Sequence, residues 1–468
     1  MSYVIGFDLG TSYFKCALVN QEGTCLSVGR VPTPKKQKGK YVLIRPESFW
    51  EAIQQCVASA CSQSGICVSE IEGISYASQA NTFLLLNENY EPITDLIVWT
   101  TQLQDHMSEE YQSFFNSSEF AEISGFKTLD CRSMVSNFTW IRNNQPDLYG
   151  STAHILTISD LLMYGLTGKC VSDSSSSSLL GLLDVHTGSW CDSFLKMTHI
   201  KRGLLGNLHR IGDFIGCCET PIAKDIGFTA TTRLYCGGLD HVLSGYGAGV
   251  GSVGDISEST GTVLAAVTLK ETFAYTPKVS IGPAMHEGEF SYLSYIDRGA
   301  GALELVHEEL FQDLSFDEMS LEAGRSPIGA NQVIFDDENG QYISLDGQRI
   351  SPQDKVRAVL ETLSFRLLQL VETLTPLHDK LHILATGGGN KSRELLQIKA
   401  DMLNCTMCVG QEKELGTYGA AMVAACGLSW FPSMKAAQNT WVNVLERFVP
   451  NEANHQAYQE WLEAKNNL

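Results

Sequence analysis

The feature that most constrains this 468-residue chain is a short pattern that occurs twice. Tyr3 to Phe7 is an apolar strand that ends in Asp8-Leu9-Gly10-Thr11-Ser12, Lys15 to Asn20 reads as a second strand, and Cys25 to Val31 as a third. This order predicts a hairpin with Gly and hydroxyl residues at its turn. The order returns from Asp255 to Ser259, through Thr260-Gly261-Thr262, into Val263 to Thr268 and later Phe290 to Ile296. The two turn glycines, Gly10 and Gly261, stand 251 positions apart. A chain that opens each half with the same hairpin predicts an α/β duplication, with two similar domains over 1–240 and 241–468 and a cleft between them.

Composition narrows the function classes. Lys and Arg number 33 against 53 Asp and Glu, a formal charge of −20. A polyanion binder needs a basic footprint to neutralise phosphates, and none is visible at this scale, so nucleic acid is not expected as a partner. The one basic cluster, Lys35, Lys36, Lys38 and Lys40 after Pro32 and Pro34, reads as a solvated loop. No run approaches the about 18 apolar residues a membrane span requires. No membrane partner is expected, and the chain reads as soluble and cytoplasmic. Its 14 cysteines are spread through apolar segments, which predicts reduced core thiols rather than a disulfide framework. Cys405-Thr-Met-Cys408 is a lone CxxC without a second pair, too little for a zinc site.

Between the hairpins, apolar residues at three- and four-residue spacing predict helices over Ser48 to Ala60, Arg132 to Asn143 and Ser159 to Leu166. Strands are expected at Ile71 to Tyr76, Thr82 to Asn87 and Asp95 to Trp99. The five serines Ser174–Ser178 read as a local turn or loop. In the second half, Ser351-Pro352 opens an amphipathic helix to Leu374. His382 to Ala385 is a strand that runs into Gly387-Gly388-Gly389 and a helix from Ser392 to Leu403.

The Gly-Thr-Ser turn exposes successive backbone N–H groups and two hydroxyls, a set suited to a phosphate. Asp8 at the strand end can hold a magnesium ion, because a hard cation takes carboxylate oxygens. Asp240 in Gly237-Gly238-Leu239-Asp240 could be an ordinary helix cap. Beside phosphate-binding turns it could instead accept the proton of an attacking hydroxyl. Gly249-Val-Gly251-Ser-Val-Gly254 matches GxGxxG but precedes a strand instead of following one, so a dinucleotide fingerprint is disfavoured. Gly387 to Gly389 would allow close approach of a flat ligand or make a tight turn. Gly416-Thr-Tyr-Gly419-Ala-Ala421 could form a second wall of the same pocket or a close helix contact.

With these residues in place, the chain resembles the FGGY carbohydrate kinases, within the actin-like and sugar-kinase ATPases. Gly6-Phe-Asp-Leu-Gly-Thr-Ser12 resembles the first phosphate motif, Ser259-Thr-Gly-Thr262 is similar to the second, and Thr386 through Gln397-Ile-Lys-Ala-Asp401 to Ala421 looks like the adenosine motif. The resemblance implies two ribonuclease H-like domains and ATP-dependent phosphorylation of a ketose, a pentulose or hexulose with xylulose the favourite, or else of a polyol such as glycerol. A non-catalytic sugar or nucleotide sensor of the same fold is the alternative outside catalysis. By position, Asp240 matches the catalytic base and Asp8 a magnesium-associated carboxylate, with Asp240 also near metal and sugar. Gly10, Thr11, Ser12, Thr260, Gly261 and Thr262 match phosphate contacts, and Gly388, Gly389 and Asn390 the nucleotide side. Gln79, Ala80, Asn81 and Trp99 would line the sugar pocket. ATP and Mg2+ are the implied cofactors, a small sugar or polyol the partner, and a homodimer is an open expectation. The chain departs from the family pattern at Ala80-Asn81, at Thr101-Gln-Leu103 and at Asn137, all on the acceptor side.

Overall fold

The protein is described by a computed structural model covering residues 2–126, 129–261, 263–297, 299–378 and 381–466. It forms two compact units, each assembled from separated segments. The first takes Met1–Gly247, Leu269–Tyr292 and Glu414–Val442; the second takes Ala248–Thr268, Leu293–Lys413 and Asn443–Leu468. The path leaves the first unit after Gly247 and returns to it twice.

The opening hairpin is present as expected. In the first unit the strands lie in the order Phe214–Cys217, Arg233–Tyr235, Ile71–Ser78, Tyr3–Leu9, Tyr13–Asn20, Cys25–Pro32. Tyr3–Leu9 runs antiparallel to Tyr13–Asn20 and parallel to Ile71–Ser78. The second unit repeats this pattern. Ile256–Thr260, His382–Thr386, Thr406–Gly410 and Val444–Phe448 lie side by side in it, and Ile256–Thr260 also pairs with the strand that follows it, Leu264–Lys270. Ile256–Thr260 is likewise antiparallel to the next strand and parallel to His382–Thr386. Near-continuous burial of Tyr3–Leu9 is what a strand covered on both faces requires.

Helices cover these sheets where the apolar spacing places them. Pro46–Ser64 starts with proline in its first turn, ends at Gly65 with φ 73°, and buries Phe49, Ile53, Cys56, Val57 and Ala60 along one face. Helix Leu415–Gly427 lies directly on the first strand: a Cβ on Gly6 would come within 1.8 Å of the Thr417 carbonyl oxygen. Its Gly419 would collide in the same way with the Leu243 carbonyl at 1.9 Å. The small residues from Gly416 to Ala421 therefore serve close packing. In the second unit Pro352–Leu374 carries the expected cap, with Ser351 and Asp354 forming a reciprocal capping box. Gly249, with φ 120°, follows helix Asp240–Ala248 and precedes a strand, so the GxGxxG stretch is a connecting turn.

Two local expectations are corrected. Lys35–Lys38 is not a loop but an exposed strand paired with Tyr41–Ile44 at the edge of a five-stranded sheet. Lysines on an edge strand discourage pairing with another chain, so charge and strand are compatible there. The serine run is also not a loop. Ser174–Ser177 is a buried helical turn, capped by Asp173, whose Oδ1 accepts from the Ser176 N–H at 2.5 Å. Gly238 packs closely against it, since a Cβ there would stand 2.8 Å from the Ser175 Cβ.

Candidate active site

Three adjacent strand ends of the first unit carry site residues expected from the sequence. Leu9 pairs with Ser78, and Ser78 with Leu239, so residues 8–12, Gln79 and Asp240 leave the sheet at one edge. In parallel α/β sheets the carboxyl ends of the strands are where ligands bind. Asp240 is the first residue of helix Asp240–Ala248, and its Oδ1 accepts from the His241 N–H at 2.7 Å. Its second carboxylate oxygen has no hydrogen-bond partner among the described residues. The Leu239 N–H donates to Ser175 Oγ at 3.2 Å, which ties the serine turn to the residue before Asp240.

Asp8 faces Lys15 across the hairpin, and the two side chains are 17% and 21% exposed, with Lys15 Nζ 3.5 Å from Asp8 Oδ2. Lys15 also bonds Glu414 Oε2 at 2.6 Å. Burial pushes the Asp8 carboxyl up to about 6; Lys15 opposes that rise, and the charges of Asp240 and Glu414 add to it. Lys15 was missed in the sequence although the hairpin register would have placed it opposite Asp8. Glu414 lies 399 positions from its partner and had no local signal.

The turn itself is tight, since a Cβ on Gly10 would lie 2.9 Å from the Tyr13 carbonyl. The Gly10 carbonyl accepts from Thr33 Oγ1, and Ser12 is exposed at the tip. Thr11 connects the Gly-Thr-Ser turn to the expected sugar side: its hydroxyl donates to Gln79 Oε1 at 3.3 Å and accepts from Trp99 Nε1 at 2.8 Å. Thr82 Oγ1 also donates to Gln79 Oε1. Gln79 is buried, yet its Nε2 has no partner among the described residues and is available as a donor. Ala80 is half-buried beside it. Asn81 has φ 62°, and its amide is occupied: Nδ2 donates to the Leu179 carbonyl and Oδ1 accepts from the Met134 N–H.

Two of the acceptor-side departures form one structural unit. Asn137 Oδ1 accepts from the Leu103 N–H at 3.1 Å, and its Nδ2 donates to the Thr101 carbonyl at 2.9 Å. The asparagine therefore holds the segment that follows Trp99.

The second unit carries the other expected residues. Thr260 is buried and Gly261 half-buried, with the Gly261 N–H donating to the Val263 carbonyl. Thr262 lies outside the described residues. Gly388–Lys391 forms a single 3-10 turn after His382–Thr386; Gly388 is exposed, Gly389 buried, and the Asn390 backbone lies in the turn, its side chain falling outside the described part. Lys399 and Glu258, neither singled out in the sequence, form a buried ion pair at 2.8 Å next to Thr260. The signal was a lysine at a core-facing position of helix Arg393–Leu403, between buried Ile398 and Ala400.

Among the described residues no group of three or more His, Cys, Asp or Glu is arranged to hold a metal ion. Magnesium commonly uses only one or two carboxylates, waters and substrate phosphates, so Asp8 and Asp240 remain a suitable donor set. Asp173, beneath this edge, also accepts from Ser159 Oγ at 2.9 Å and Tyr76 OH at 3.3 Å. Asp173→Ala is expected to lower stability by about 2 kcal/mol or more, through a lost cap and buried donors left unpaired. A urea midpoint unchanged from wild type would remove that role.

The FGGY family of carbohydrate kinases matches the chain twice, its N-terminal domain over residues 3–247 and its C-terminal domain over 332–428. A xylulose kinase of Bacillus subtilis (strain 168) is 26% identical, covering 100% of this chain and 97% of its own. The crystal structure of ligand-bound xylulose kinase from Lactobacillus acidophilus superposes with a TM-score of 0.87 at 21% identity, covering 100% of this chain and 98% of the other. Plasmodium falciparum glycerol kinase with ADP gives a TM-score of 0.85 at 18% identity, with the same coverage of 100% and 98%. Among the described residues no helix is long and apolar enough to cross a membrane.

Proposed function

The chain belongs to the FGGY family of carbohydrate kinases, and from that premise we propose that it transfers the γ-phosphate of magnesium-ATP to a primary hydroxyl of a pentulose, with xylulose the favoured acceptor. The observation that carries this reading is the shared strand edge: Asp8, Gln79 and Asp240 leave neighbouring strand ends of one unit, which supports roles for them at a phosphate turn, as a sugar-side donor and as a carboxylate base. The name of the Bacillus subtilis relative supports the choice of sugar.

In this reading Asp240 takes the proton of the attacking hydroxyl through its unpartnered oxygen. The hydroxyl oxygen forms its bond to the γ-phosphorus as the bond to the bridging oxygen breaks, and ADP leaves. Phosphoryl transfer asks the protein mainly for position and charge. Gln79 Nε2 and the Trp99 face would orient the sugar, and Lys15 would offset negative charge near Asp8. Asp8 and Asp240 would hold Mg2+, which supplies neutralisation of phosphate charge when bound. The 14 cysteines form no disulfide among the described residues, which supports a reducing, cytoplasmic setting.

The test is sugar-dependent ADP release from magnesium-ATP across a panel of ketoses and polyols. Turnover with one pentulose supports the reading, and turnover with glycerol alone would move the acceptor to the polyols. ATP hydrolysis indifferent to every sugar would sink it.

The raised pKa of Asp8 adds a pH dependence. A carboxyl held at about 6, above its ordinary 3.8, binds its proton more readily when folded. Its own contribution to stability therefore falls as pH rises from about 4 to about 6. Activity runs the other way, because the charged form is the useful one, and kcat/KM is expected to drop below pH about 6. Lys15 opposes the rise in the Asp8 pKa, so Lys15→Met should move this acid limb to higher pH. A limb that stays in place would show that Asp8 does not set it.

A further inference from the structure

The second unit contains a charged pair that the proposed chemistry does not use. Glu258 and Lys399 side chains are both 0% exposed, and Lys399 Nζ donates to Glu258 Oε1 at 2.8 Å. Their third member is Thr260, on the strand that enters the second phosphate turn. Lys399 Nζ donates to Thr260 Oγ1 at 2.6 Å, and Thr260 Oγ1 donates to Glu258 Oε2 at 2.8 Å. The Thr260 hydroxyl thus points inward, fixed from two sides.

The other side of Thr260 supports the glycine loop. A Cβ on Gly389 would lie 2.6 Å from the Thr260 Cβ, and one on Gly387 would lie 2.9 Å from the Thr260 carbonyl oxygen. Thr386 Oγ1, just before the loop, donates to the Glu258 carbonyl at 2.8 Å. The Thr260 methyl group is on that side as well, 2.8 Å from where a Gly389 Cβ would stand. Stability alone does not account for the pair, since a buried ion pair can often be replaced by apolar residues without loss.

We infer that Glu258 and Lys399 are positioning residues: they lock the Thr260 rotamer and through it set the Gly387–Gly389 loop against the second phosphate turn for the nucleotide. The inference rests on the kinase reading above and deepens its nucleotide side. The pair touches no reacting atom, so its loss should appear in nucleotide affinity and leave the acceptor KM unchanged.

The test uses the full-length chain with three variants: Glu258→Leu/Lys399→Leu, Thr260→Val and Thr260→Ser. ADP affinity by calorimetry is the first readout, with KM for ATP and for the acceptor the second. The double variant, which leaves no charge unpaired, and Thr260→Val, which keeps the shape and loses the hydroxyl, should each weaken ADP binding about tenfold to a hundredfold. Thr260→Ser, which keeps the hydroxyl, should stay close to wild type. ADP affinity within threefold of wild type in Thr260→Val and in the folded double variant would overturn the inference. If the double variant does not fold, Thr260→Val decides alone. Wild-type protein that binds neither ADP nor ATP would instead overturn the kinase reading, and the inference with it.

Discussion

Asp240→Asn should lower sugar-dependent kcat by about two to four orders of magnitude, the range lost with a positioned general base. The substitution is nearly isosteric, and an asparagine Oδ1 can still accept from the His241 N–H now bonded to Asp240. The helix start therefore survives, and ATP binding should change only a few-fold. What is lost is the oxygen that can take a proton. Coupled measurement of ADP release at saturating sugar, with the thermal midpoint followed in parallel, checks this directly. A folded Asp240→Asn protein that keeps kcat within tenfold of wild type would show that Asp240 is only a helix cap.

Gly6→Ala carries the second large effect, this time on folding. One methyl group placed 1.8 Å from the Thr417 carbonyl oxygen and 2.6 Å from the Ala421 nitrogen has backbone on every near side. No rotamer change relieves such a contact, so helix Leu415–Gly427 has to move away from strand Tyr3–Leu9. Overpacking of this kind costs about 3 kcal/mol or more when the obstacle cannot yield. Glu414 precedes that helix and bonds Lys15, so activity should fall with stability. A denaturant midpoint equal to that of wild type would disprove the close approach.

Much of the fold was legible because its signals are local. The two hairpins, the Ser351-Pro352 start and the turn after Ala248 are set by residues a few positions apart. Asp240 was legible as a candidate for the same reason, standing between a short strand and a helix. The serine run misled, because its burial depends on Gly238, more than sixty positions further on. Lys399 and Glu258 are 141 positions apart, and a single lysine on an apolar helix face does not name its partner. Asn81 and Gln79 look equivalent as polar neighbours of a pocket. Only the bonds of Asn81 to the Leu179 carbonyl and the Met134 N–H separate a structural amide from one with a donor to spare.

The segmented path of the first unit has a consequence for synthesis. Its last segment begins at Glu414, so a ribosome that has finished residue 247 must add well over a hundred more residues before that segment exists. At ordinary elongation speeds this takes on the order of ten seconds. During that interval strand Tyr3–Leu9 waits without the helix that covers Gly6. A truncated product ending near residue 247 would keep that strand permanently uncovered and should precipitate. Truncation near residue 247 therefore cuts through the first unit rather than between two independent halves.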